Sequence, residues 1–334
     1  MSTEGGTRAV VAALLANIGI AISKFIAFLL TQSSSMLAES IHSVADSGNQ
    51  VLLLIGGKRA TRQATPTHPF GYGRERYIYA FIVAVVLFFV GGVFALYEAY
   101  QKFSHPHAID KYQWVPVAVL VVAIVLESFS FRTAIVESNK VRGKASWVSF
   151  VRRSRSPELP VILLEDLAAL LGLIFALTGV SLTLITHDGF WDAVGTVAIG
   201  ILLLVVACLL AVEMKSLLVG ESADPEQILA IERAIVAGPE IERIIHMRTV
   251  HLGPDELLVA AKIAVRQTDS AADVARGIDL TEGRIREAVP IARVIYLEPD
   301  IYRASAAPPP AATAPHVDGP AEPVADGRAP AGAG

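Results

Sequence analysis

The sequence predicts an α-helical membrane protein, in which a bundle of six transmembrane helices precedes a small α+β domain. The chain has 334 residues, of which 53% are hydrophobic and only 18% are charged, and soluble domains of this size normally carry more charge. Six apolar stretches are long enough to cross a bilayer as helices, which takes about 20 residues. After about residue 217 the composition changes to that of a soluble domain.

The predicted spans cover residues 9–30, 35–57, 77–100, 114–135, 160–183 and 190–211. Lysine and arginine concentrate in the connections after the second and fourth spans, whereas the connections on the opposite side hold only Lys102 and Lys111. Loops rich in these residues stay on the cytoplasmic side of a membrane. We therefore expect both termini of this multi-pass protein to be cytoplasmic. The plasma membrane is the expected location, since no organelle-targeting segment is visible.

The region after the last span has the pattern of a small folded domain. Helices are predicted at 225–236 and 270–289, and strands at 243–251, 256–265 and 292–299. The turn Gly253-Pro254-Asp255 predicts a hairpin between the first two strands. The order αββαβ predicts a ferredoxin-like sandwich. The domains expected are a cytoplasmic N-terminus at 1–8, a transmembrane domain at 9–213, a cytoplasmic domain at 214–302 and a disordered Ala/Pro-rich tail at 303–334.

Polar residues interrupt the second predicted span in a regular pattern. Glu39, His42, Asp46 and Asn49 stand at positions i, i+3, i+7 and i+10, so they share one face of a helix. An imidazole four residues from a carboxylate is a natural pair of ligands for zinc-like metals. The alternative is a structural hydrogen-bonded pair, or an interfacial position for Glu39.

Further acids lie in the fourth and fifth predicted spans, at Glu127, Glu165 and Asp166. A charged side chain near the bilayer centre costs about 2.5 to 3.5 kcal/mol even on lenient scales. Lys24 in the first predicted span is basic, but one positive charge cannot balance all of these acids. The remaining acids need protons, water or a bound cation for compensation. Metal requires ionised carboxylates and neutral imidazole, so protons compete for the same site. One site can then exchange metal for protons, although Glu127 also fits a helix–helix contact.

Other classes of function lack their usual signals. Cys208 is the only cysteine, which excludes disulfides within the chain and thiolate metal clusters. No basic footprint for nucleic acid is visible. A membrane metalloenzyme of the His-Glu-x-x-His type would need a spacing that the sequence does not have. We expect a protein that is not an enzyme and has no prosthetic group.

Two segments resemble the cation diffusion facilitator family. Residues 33–46 resemble its second helix, with the His-x-x-x-Asp half-site, and residues 68–77 read His-Pro-Phe-Gly-Tyr-Gly-Arg-Glu-Arg-Tyr, which is similar to its signature before the third helix. The Glu165-Asp166 pair and the Ala-Glu-Ser-Ile-His form of the second helix are similar to the zinc transporter nine branch. The resemblance covers about residues 8–300.

This resemblance implies a homodimer that exports zinc, or else manganese, iron or cobalt, against protons by alternating access. The ligands carried over are His42, Asp46 and Asp166. The family's fourth ligand position is Ile162 here, so Glu165 is the first choice to replace it. Weaker candidates are Glu39, Asn49 and Glu127.

The resemblance also places a basic residue of the dimer interface at Arg74, with Glu221 as its nearest acidic partner. Because one ligand position is lost, a metal-binding scaffold or sensor that does not transport is the rival interpretation.

Overall fold

The computed structural model describes residues 2–31, 34–104 and 114–303, so the predicted tail beyond 303 lies outside the described residues. The long helices are α1 (Ser2–Thr31), α2 (Ser34–Ala60), α3 (Glu75–Val86), α4 (Phe94–Ser104), α5 (Trp114–Arg142), α7 (Glu158–Thr186) and α8 (Phe190–Val219). A short helix, α6 (Trp147–Arg153), precedes α7. The sequence pattern did not predict α6, which has seven residues and is capped by Ser146, whose side chain accepts a hydrogen bond from the Ser149 amide.

Five helical segments are long and apolar enough to cross a membrane: Ala9–Ile26, Glu75–Ser104, Trp114–Arg142, Glu158–Thr186 and Phe190–Val219. These correspond to five of the six predicted spans. The helix α2 has 27 residues, which is sufficient length, but its polar residues keep it outside this group. Its crossing of the membrane therefore stays a prediction.

The third span consists of α3, a π-helical segment at Leu87–Val93, and α4. A π-helical turn holds one residue more per hydrogen bond than an α-helical turn and is rare. Within it, a Cβ atom added to Gly92 would lie 2.5 Å from the Leu204 side chain of α8. Glycine is therefore required for the close contact between the third and last spans.

The helices α7 and α8 also approach each other through glycines near their connection. A Cβ atom at Gly179 would lie 2.9 Å from the Trp191 carbonyl oxygen, and one at Gly195 would lie 3.0 Å from the Phe175 carbonyl oxygen. Small residues allow such backbone contact where lipid supplies no hydrophobic drive for helix association. The two helices are thus fixed to each other at this end.

The C-terminal domain contains α9 (Pro225–Ile235), β1 (Arg243–Gly253), β2 (Glu256–Ala264), α10 (Ala271–Ala288) and β3 (Ala292–Asp300). The sheet has the order β1-β2-β3, with β1 antiparallel and β3 parallel to β2. Its core includes Ile231, Leu257, Ile263 and Ile285, all fully buried. The predicted element order and hairpin are confirmed, whereas the ferredoxin-like assignment stays a prediction.

Candidate metal centre

Two adjacent acids on α7, Glu165 and Asp166, are buried in the helix bundle, with 6% and 2% of their surface exposed. Successive residues of an α-helix point about 100° apart, because one turn takes 3.6 residues. The two carboxylates accordingly have different neighbours, Glu165 on α2 and Asp166 on α5.

Two amide side chains of α2 bind Glu165. The Asn49 Nδ2 atom donates to Glu165 Oε1 at 2.8 Å, and the Gln50 Nε2 atom donates to Glu165 Oε2 at 3.1 Å. A carboxylate accepts through both oxygens, so it fixes the amide groups with their nitrogens toward it. The amide oxygens of both residues are buried and accept no hydrogen bond within the described part of the chain.

A hydroxyl group of α5 binds the second acid. The Ser130 Oγ atom donates to Asp166 Oδ2 at 2.7 Å. One turn earlier on α5, Glu127 is 2% exposed and lies in electrostatic range of Asp46, Asp166 and Glu165, and also of Lys24. A cluster of buried acids, called the pocket below, therefore lies where α2, α5 and α7 meet.

The structure describes the side chains of only some of the predicted ligands. Asp46 is half-buried and lies in electrostatic range of Glu165, whereas the side chains of His42 and Glu39 lie outside the described residues. Among the side chains that are described, no group of three or more His, Cys, Asp or Glu could hold a metal ion. The ligand set that the sequence predicts thus stays a prediction.

Ile162 stands one turn before Asp166 and is fully buried in the apolar core of the bundle. An aliphatic side chain has no lone pair to offer a metal. At this position of α7 the structure therefore supplies packing and no donor atom.

Sequence reasoning did not assign roles to Gln50 and Ser130. Both have a signal in the sequence, since Gln50 follows Asp46 by four residues and Ser130 follows Glu127 by three, which places each pair on one helix face. The side chains are buried, with 0% and 3% of their surface exposed. Buried neutral donors beside acidic residues mark hydrogen-bond partners.

The predicted charge pair of Arg74 and Glu221 has a different arrangement in the structure. Glu221 forms its ion pair with Arg155, which precedes α7, and Arg74 lies exposed. The gating or dimer role predicted for Arg74 and Glu221 stays a prediction.

Comparison with known proteins relates this helix bundle to a family of membrane proteins. A family model described as the cation efflux transmembrane domain matches residues 10–219. The chain is 32% identical over 263 residues to the mitochondrial proton-coupled zinc antiporter SLC30A9 of Mus musculus, covering 78% of this chain and 46% of that protein. It thus spans about half the length of that relative.

Two further relatives are named for other roles. The chain is 26% identical to metal tolerance protein C4 of Arabidopsis thaliana, covering 79% of this chain and 58% of that protein. It is 25% identical to the manganese efflux system protein MneP of Bacillus subtilis, covering 74% and 80% of the two chains. Since the family model matches most of the chain and includes every acidic residue of the pocket, this membrane protein belongs to the cation diffusion facilitator family of metal efflux transporters.

Proposed function

We propose that this chain exports a divalent metal ion, zinc in the first place, in exchange for protons. The observation that carries the proposal is the group of buried acids between α2, α5 and α7, which accept hydrogen bonds from neutral donors. A buried carboxylate is tolerated only when a charge, a proton or a metal ion compensates it. The mouse relative is named as a proton-coupled zinc antiporter, which supports both zinc as the cargo and protons as the exchanged ion.

In the proposed site His42 and Asp46 contribute from α2, and Asp166 and Glu165 contribute from α7. Glu165 replaces the ligand that Ile162 does not provide. Asn49 and Gln50 each donate one hydrogen bond to a different oxygen of Glu165, which leaves a lone pair on each oxygen for a metal ion. Glu39, Asn49 and Glu127 are the weaker candidates.

The proton half of the proposal follows from the chemistry of the same donors. A metal ion binds an ionised carboxylate and a neutral imidazole, and a proton on either group removes that ligand. When protons from one side of the membrane occupy the pocket, the metal is released there. An inward state and an outward state with different proton affinities complete the cycle of alternating access.

The proposed arrangement in the membrane has six spans, with α2 as the sixth crossing helix, and a homodimer as the functional unit. The termini and the ferredoxin-like domain at 214–302 lie on the cytoplasmic side. The sequence favours the plasma membrane, while the mouse relative is named as mitochondrial. Imaging of a tagged chain beside markers of both membranes distinguishes the two locations.

Zinc uptake into proteoliposomes tests the proposal. We expect an imposed pH gradient to accelerate uptake in the wild-type chain, and Asp46→Asn to abolish it because the proposed ligand loses its charge. Gradient-insensitive uptake would remove the proton half. Metal binding without any flux would favour the scaffold or sensor.

Manganese is the second candidate for the cargo. The proposed site has three carboxylates and one imidazole, and oxygen-rich sites suit manganese better than nitrogen-rich or sulfur-rich ones. The Bacillus relative is named for manganese efflux. Competition of manganese against zinc in the same uptake assay decides between them.

A further inference from the structure

Three separate elements meet at one guanidinium group at the inner end of the bundle. Arg76 lies in the first turn of α3, with 8% of its surface exposed. Its Nε atom is 3.4 Å from Glu158 Oε1, and its Nη1 atom donates to Asp255 Oδ2 at 3.5 Å. Glu158 is the first residue of α7, and Asp255 belongs to the turn between β1 and β2.

The turn itself is seated on the loop before α3 by backbone contact. A Cβ atom at Gly73 would lie 2.9 Å from the Leu252 carbonyl oxygen, and one at Gly253 would lie 2.9 Å from the Gly73 Cα atom. Real Cβ atoms do not occur at such distances from backbone atoms. Both positions therefore require glycine. This close contact between the loop and the hairpin turn keeps Asp255 next to Arg76.

A second connection joins the same domain to the residues before α7. Arg155 forms an ion pair with Glu221, and its Nη2 atom is 3.4 Å from Asp224 Oδ1. The backbone amide of His251 in β1 donates to the Glu221 carbonyl oxygen at 2.9 Å. The segment that leads into α7 is thus bound to the C-terminal domain directly, and the first residue of α7 is connected to that domain through Arg76.

From this geometry we infer that Arg76 is a positioning residue through which the C-terminal domain holds α7. Glu158 precedes Glu165 and Asp166 by seven and eight residues, or about two turns of a helix that rises about 1.5 Å per residue. A shift of the hairpin that moves Glu158 therefore moves both acids of the pocket relative to α2. The consequence for transport rests on the proposed function.

Asp255→Asn in the full chain tests the inference, because it removes one charge from the junction at a half-exposed side chain. We expect hydrogen–deuterium exchange over residues 158–166 to rise about fivefold, and the maximal rate of zinc uptake to fall about fivefold, which is the low end of typical couplings between sites. The zinc concentration for half-maximal uptake should stay unchanged, since no proposed ligand is altered. The double variant Glu158→Gln/Asp255→Asn should change exchange and uptake by less than the sum of the two single variants, because both residues act through Arg76.

Asp300→Asn is the matched control. Asp300 has the same 45% exposure as Asp255 and pairs with Lys262 at 3.0 Å on the same domain, far along the sheet from the hairpin turn. It should change neither exchange in α7 nor uptake. Unchanged exchange over 158–166 in Asp255→Asn would overturn the inference, as would an unchanged uptake rate. Hydrogen–deuterium exchange is measured without transport, so it tests the inference even if the proposed function fails. That separate failure would appear as equal zinc uptake in wild type and Asp46→Asn.

Discussion

Two buried acids at the centre of the helix bundle and two acids of the C-terminal domain have opposite kinds of partner. In the bundle, Glu165 and Asp166 accept hydrogen bonds from the neutral groups of Asn49, Gln50 and Ser130. On the domain, Asp300 pairs with Lys262 at 3.0 Å. Glu240 pairs with Arg284 at 3.2 Å in the same way.

This difference between neutral and charged partners indicates where a cation can bind. A salt bridge already supplies the positive charge that a carboxylate attracts, and at the surface water screens what remains. Neutral donors orient a carboxylate without cancelling its charge, so Glu165 and Asp166 retain attraction for a cation or a proton. Partner type therefore separates a candidate transport site from surface pairs more clearly than the number of acids does.

Breaking the pocket should have the largest effect. Glu165→Leu leaves the amide groups of Asn49 and Gln50 buried without their acceptor, which costs about 2–4 kcal/mol of stability. Glu165→Gln keeps the shape and can rearrange with the two amides, so it should lose much less. Thermal unfolding of the purified chain in detergent measures both.

The surface pair supplies the reference for this comparison. Asp300→Asn should leave the unfolding temperature within error, because exposed ion pairs contribute little at physiological salt. Equal losses in Glu165→Leu and Asp300→Asn would contradict the distinction between the two regions.

Ser130→Ala should have an intermediate effect that is specific to metal binding. It removes the 2.7 Å hydrogen bond that orients Asp166, and loss of a group that orients a ligand typically weakens metal binding by tenfold or more. We expect about a tenfold higher zinc concentration for half-maximal binding. Ser128→Ala is the control, since the Ser128 hydroxyl is exposed and donates to the Ile124 carbonyl oxygen of its own helix. Similar affinities for the two variants would contradict a ligand role for Asp166.

The smallest expected effect concerns a neutral group of the domain. His251 is 2% exposed, its Nδ1 atom is 3.3 Å from the Gly253 carbonyl oxygen, and its Nε2 atom is buried without a hydrogen-bond partner among the described residues. Burial lowers the pKa of His251, and the nearby charge of Arg155 lowers that pKa further, against smaller opposing effects of the hydrogen bond to Gly253 and of Asp224.

The sign of its pH dependence follows. Below the ordinary histidine pKa of about 6.5 the unfolded chain binds a proton that the folded chain does not, so stability falls as the pH drops through this range. Unfolding temperatures measured at pH 8 and pH 5.5 should differ more for the wild type than for His251→Asn, whose amide keeps the bond to Gly253. An identical pH dependence would show that the His251 imidazole does not titrate differently on folding.

Much of the fold could be predicted from the sequence, because the patterns involved are local. Apolar runs mark the helices Glu75–Ser104 and Phe190–Val219, and alternating residues with a Gly-Pro-Asp turn mark the hairpin of β1 and β2. For α2 the helical form is confirmed, whereas its crossing of the membrane stays a prediction.

The partners of the acids could not be predicted in the same way. Which side chain meets Glu165 depends on how α2 and α7 cross, and Asn49 lies 116 residues from Glu165 in the chain. The same applies to Arg76 and Asp255, which are 179 residues apart. The sequence marked Arg76 only as one of many basic residues of a cytoplasmic loop, since helical spacing carries no information about contacts between domains.

The π-helical segment at Leu87–Val93 limits how the third span can be mapped from its sequence. One additional residue in a turn rotates everything after it by roughly 100° relative to a uniform helical wheel. A single wheel started at Glu75 therefore does not describe the faces of α4, which carries the exposed side chains of Tyr97 and Tyr100. Cysteine-scanning or labelling data from this span need two separate wheels, one on each side of Gly91.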